Sequence, residues 1–146
     1  MSSKKINKME SSSKNIEIKP QTLLASLWIF TTLNYLYCDL IGLMDSNLLK
    51  QYLTGNIDGL VLNQEFLLLA AILMEIPIAM TLLSCILKYK ANRLANIIAG
   101  SIKTLAMILT LFMGPFTIYY LFFAVIEIGT TIYIVWYAWR WKNNSL

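Results

Sequence analysis

The stretch FLLLAAILMEIPIAMTLLSCIL, residues 66–87, decides the fold. It holds a single charged residue, Glu75, and its apolar positions do not alternate with polar ones. A helix rises about 1.5 Å per residue, so this run is long enough to cross a hydrocarbon core of about 30 Å. Strands of a membrane barrel alternate apolar and polar side chains, which excludes that architecture here. Working outward, three more runs of the same kind appear at residues 22–44, 94–113 and 116–139. The sequence therefore predicts an all-α bundle of four transmembrane helices over residues 22–142. Residues 1–21 are dominated by Ser, Lys, Asn and Glu. They carry too little apolar surface to order themselves and are expected to form a disordered tail. A polar stretch of that length with no small-residue cleavage site does not suit a signal peptide.

Composition agrees. Of 146 residues, 58% are hydrophobic and 14% are charged, whereas a soluble domain carries roughly 25% charged residues. There is no histidine, which removes the commonest metal ligand and catalytic base. No Gly-rich phosphate loop, CxxC pair or HExxH motif is present. The expectation is a protein that is not an enzyme and has no cofactor. The net charge of +4 sits beside apolar spans and reads as membrane topology, not as a nucleic-acid surface. Cys38 and Cys85 fall inside spans near opposite faces of the membrane, so no disulfide is expected between them.

The connections set orientation. Lys4, Lys5, Lys8, Lys14 and Lys19 precede the first span, Lys88, Lys90 and Arg93 join the second to the third, and Arg140 and Lys142 follow the fourth. The long loop, residues 45–65, has Lys50 against Asp45, Asp58 and Glu65. By the positive-inside rule both termini are cytoplasmic. Trp136, Tyr137, Trp139 and Trp141 around Arg140 suit an aromatic belt at that face. In the long loop, Asp45 or Ser46 can cap a short amphipathic helix running through Leu53, with Gly55 able to end it; an ordinary loop suits the residues equally well. Gly114 and Pro115 predict a tight turn, with Pro115 starting the last helix.

The spans contain polar residues at a shared depth. Counting from the span edges, Asn34, Glu75, Lys103 and Glu127 each lie roughly 14–18 Å deep, near the midplane. Asp39 is shallower. A charge at helix centre costs about 2.5–3.5 kcal/mol, so these side chains are expected to face the bundle interior and meet. The faces follow from helical spacing: Thr31, Asn34, Tyr35 and Cys38; Ala71, Glu75 and Ala79; Asn96, Gly100, Lys103, Thr104 and Met107; Tyr120, Ala124, Glu127 and Thr131. Lys103 is expected to pair with Glu75 or Glu127. One ammonium cannot neutralise both, which leaves a carboxyl in a setting that favours its neutral form. Asn34, Asp39, Glu75, Lys103 and Glu127 are the candidate binding residues, for a proton, a small ion or a small polar solute. The competing reading makes the same cluster a structural lock on helix packing. Pro77 removes a backbone hydrogen bond and frees the carbonyl near Leu73. Beyond the lipid bilayer, the one partner suggested by so narrow a bundle is a second copy of the chain.

Four stretches carry a resemblance: residues 34–39 (NYLYCD), 66–84 (FLLLAAILMEIPIAMTLLS), 88–104 (KYKANRLANIIAGSIKT) and 136–141 (WYAWRW). Over about residues 22–142 the chain resembles a family of small, four-helix bacterial inner-membrane proteins with no assigned function. The resemblance implies a bacterial cytoplasmic membrane and supplies no ligand or activity.

Overall fold

The structure is a computed structural model and describes residues 18–57, 59–113 and 117–142. Four long helices form the protein: α1 (Pro20–Met44), α3 (Gln64–Ile86), α4 (Tyr89–Met113) and α5 (Ile118–Arg140). A short helix, α2 (Ser46–Thr54), and a two-stranded ribbon of β1 (Asn56–Ile57) and β2 (Leu60–Val61) join α1 to α3. The predicted all-α class holds, and the four long helices are long and apolar enough to cross a membrane. The third of them starts at Tyr89, five residues before the run read from hydropathy. The tail up to residue 17 and the Gly114–Pro115 turn lie outside the described residues.

Helix ends explain the boundaries. Pro20 opens α1, where its missing N–H costs nothing. Asp45 ends that helix and begins the next. Its N–H donates to the Gly42 carbonyl at 3.2 Å, while its Oδ1 accepts from the N–H groups of Asn47 at 2.9 Å and Leu48 at 3.3 Å. The short amphipathic helix therefore forms. It closes at Gly55, whose φ of 69° lies in the left-handed region that glycine adopts without a Cβ clash. Asn63 caps α3 by accepting from Phe66 N–H at 2.8 Å, and Thr117 caps α5. At the other end of α5, Arg93 donates to the carbonyls of Ala138 (3.1 Å) and Trp139 (2.9 Å). Those carbonyls have no partner of their own within the last turn.

Each long helix packs on two neighbours, in the cyclic order α1, α3, α4, α5. Helices α1 and α4 are diagonally opposed. The termini of α1 and α5 and the α3–α4 turn share one end, called here the basic end for Lys19, Lys88, Lys90, Arg93, Arg140 and Lys142. The other is the loop end. A core of Leu24, Trp28, Met80, Ala99 and Ile134 fills the half nearer the basic end. The outer surface carries Ile29, Leu68, Ile72, Leu105, Phe122 and Val125, all exposed. So wide an apolar exterior matches helices bathed in hydrocarbon.

Between α4 and α5 the approach is close. A Cβ on Gly100 would meet Val135 Cγ2 at 2.6 Å. Beside that contact the Thr104 hydroxyl donates to Thr131 Oγ1 at 2.7 Å, joining the two helices.

Candidate functional site

Two polar layers cross the bundle. The first lies near the basic end. Trp28 Nε1 donates to Asn96 Oδ1 at 2.7 Å across the diagonal. Asn96 Nδ2 donates to the Asn92 carbonyl (2.9 Å) and to Asn92 Oδ1 (2.7 Å). Asn92 Nδ2 in turn reaches the carbonyls of Ser84 (2.6 Å) and Leu87 (3.4 Å), at the end of α3. Ser84 Oγ donates to Asn96 Oδ1 at 3.4 Å. Trp28, Ser84, Asn92 and Asn96 are all fully buried, and none of their side-chain donors or acceptors is orphaned.

The second layer is charged and lies at mid-bundle. Lys103, 1% exposed, projects from α4 across the centre. Its Nζ sits 3.7 Å from the centroid of the Tyr35 ring on α1, the geometry of a cation–π contact. Nζ also lies 3.4 Å from the carbonyl oxygen of Leu73. In an unbroken helix that oxygen accepts from the N–H of residue 77, which is Pro77 and has none. The lysine thus covers the carbonyl that the proline frees.

Glu127 lies on α5, also 1% exposed, and its Oε1 has no hydrogen-bond partner. The expected pairing is absent: among the described residues Lys103 makes no ion pair with Glu75 or Glu127. Asp39 lies one helical turn beyond Tyr35 on α1. Asp39 itself is exposed. Asn34 is buried and donates to the Phe123 carbonyl at 3.1 Å, tying α1 to α5 one turn from Glu127.

Glu75 is exposed and stands apart from this layer. The inward face of α3 is Pro77, Met80 and Ser84, not Ala71, Glu75 and Ala79. Helix α3 is apolar on every side, so its sequence carries no stripe to mark the core, and the assumption that a charge must face inward chose the wrong face. The depth itself is consistent: Leu73, two residues from Glu75, is level with Lys103 through their contact. Faces of the other three helices follow the spacing. Thr31, Asn34, Cys38, Asn96, Gly100, Lys103, Met107, Ala124, Glu127 and Thr131 are buried. Cys38 and Cys85 are free thiols.

Sequence reasoning did not pick out Trp28, Ser84 or Asn92. Asn92 could have been found from Asn96 and Lys103, because all three share one helical face. Trp28 is an ordinary apolar residue of its span until its partner is known.

A bundle of four apolar helices with a polar interior defines a multi-pass membrane protein. Residues 14–146 match a family of unknown function, DUF6326, and the chain belongs to that family. No curated protein and no solved structure matches it.

Proposed function

We propose that the protein is a non-catalytic membrane protein that binds a proton at Glu127 and passes it across the bilayer, with Lys103 in the same mid-bundle layer. The observation that carries this reading is the buried Oε1 of Glu127 without a donor. A buried polar atom left alone costs about 1–3 kcal/mol, and an acid is kept in such a place more readily for exchange than for packing. A proton, or a small polar solute offering a donor, completes the site.

The same reading places the protein in a bacterial inner membrane with both termini in the cytoplasm, supported by the basic residues gathered at one end. It also works as a homodimer. Glu75 is an exposed acid at mid-depth on α3, flanked by exposed Leu68, Ile72, Ile78 and Leu82. A two-fold related copy sets α3 against α3 and covers this apolar face.

Purified protein in liposomes, assayed for proton uptake with an internal pH-sensitive dye, tests the central point. Wild type should take up protons and Glu127→Gln should not, while both remain folded in detergent. Equal uptake by the two removes Glu127 from the mechanism. Reporter fusions after residue 146 and within residues 45–65 should report opposite compartments.

Lys103 favours a second, structural reading. Its contacts with Leu73 O and the Tyr35 ring suit a clamp over the Pro77 break, whatever Glu127 does.

A further inference from the structure

The basic end holds a site that neither polar layer involves. A cavity of about 550 Å³ opens there, lined by Tyr89, Arg93, Trp139, Arg140, Trp141 and Lys142. Three of the six are cations and none is an acid. The walls are held in place. Tyr89 donates its hydroxyl to the Trp141 carbonyl at 2.7 Å, and the two rings meet edge to face at 5.2 Å. Arg93 is pinned by its bonds to Ala138 and Trp139, which use two of its five N–H groups. Arg140 lies over the Trp136 ring, 5.2 Å from its centroid, and among the described residues neither Arg140 nor Lys142 has an acidic partner.

The fold also removes what would oppose an anion here. The C-terminal end of α5 carries partial negative charge, but Arg93 covers two of its last carbonyls, those of Ala138 and Trp139. The N-terminal turn of α4 begins at Tyr89 and presents partial positive charge. Trp136 and Trp139 are exposed beside the cavity, as aromatic residues are at headgroup depth.

We infer that this cavity binds a phosphate group, carried by the headgroup of an anionic phospholipid. The remaining N–H groups of Arg93 reach the phosphate oxygens from the floor, Arg140 and Lys142 close over them, and Trp139 lies along the acyl chains. Basic pockets between spanning helices take anionic headgroups by the same chemistry. Inorganic phosphate offers the same oxygens without the chains, and the test separates the two.

The full chain is placed in nanodiscs of phosphatidylcholine alone or with phosphatidylglycerol, and lipids retained on release are counted by native mass spectrometry. Wild type should retain phosphatidylglycerol in preference to phosphatidylcholine. The Arg140→Gln/Lys142→Gln double variant leaves the Arg93 cap in place and should lose about tenfold or more of that preference. The Lys19→Gln/Lys88→Gln variant, with the same net charge, should keep it. Equal losses in the two double variants would reduce the effect to diffuse surface charge and overturn the site. A raised unfolding temperature of the wild type with millimolar inorganic phosphate in phosphatidylcholine, with no phosphatidylglycerol preference, would overturn the lipid assignment.

Discussion

The two polar layers are built from opposite principles. Near the basic end, Trp28, Ser84, Asn92 and Asn96 are neutral, buried and mutually satisfied. At mid-bundle, Lys103 and Glu127 are ionisable and equally buried, yet the lysine rests on a ring and a carbonyl, and the glutamate leaves an oxygen unbonded. Closed polar networks fix one arrangement of helices, because every alternative breaks several bonds at once. The network near the basic end does so with neutral groups alone. An incomplete layer is where the proposed exchange of a proton or solute would take place.

This contrast is open to attack. The largest loss of stability should follow Asn96→Leu, which strands Trp28 Nε1, Ser84 Oγ and Asn92 Oδ1 together. A loss of about 3 kcal/mol or more is expected at roughly 1–3 kcal/mol per stranded group, read by reversible unfolding in mixed micelles. A smaller loss than for any change in the charged layer would invert the comparison. Gly100→Leu comes next, at about 1–3 kcal/mol, because the new side chain meets Val135. Adding Val135→Ala should return part of it, and no return would mean that the α4–α5 approach is not set by that contact.

A thermodynamic cycle sharpens the account of Lys103. Lys103→Met leaves the Leu73 carbonyl bare while residue 77 is proline. Pro77→Ala supplies the missing N–H, so Lys103→Met should cost less in that background. Coupling of about 0.5–2 kcal/mol is expected for groups sharing one partner, and strict additivity would show that the lysine does not serve that carbonyl. The smallest effect on stability should be that of Glu127→Gln, within about 1 kcal/mol. Its Oε1 has no bond to lose, and the change removes a carboxyl from a buried place. A loss as large as that of Asn96→Leu would make Glu127 part of the lock.

Much of this was legible in the chain. Length and hydropathy located four spans, and Asp45 with Gly55 marked the ends of the short helix because caps depend on local backbone chemistry. Spacing found the buried faces of α1, α4 and α5, where polar and small residues interrupt the apolar pattern. It failed on α3, whose leucines, isoleucines and alanines surround Glu75 on all sides, so orientation rests on packing against α1 and α4. The Lys103–glutamate pair failed for a related reason. Charge counting supplies only formal partners, whereas a ring face and a proline-freed carbonyl carry no formal charge and do not enter it. The ribbon of Asn56–Ile57 with Leu60–Val61 is too short to leave any periodic signal.

Trp28–Asn96 and Tyr35–Lys103 join the same two diagonal helices at the same sequence offset, like two rungs of a ladder. Rungs of equal offset resist sliding of one rail along the other, because sliding shears both together. Their unequal strength sets what remains possible. The lower rung is a 2.7 Å hydrogen bond inside a closed network, while the upper is a ring contact that yields through a change of lysine rotamer. Opening that spares the lower rung therefore swings α1 and α4 apart as levers pivoting near the basic end. Such a swing widens the bundle toward the loop end and leaves the basic end shut.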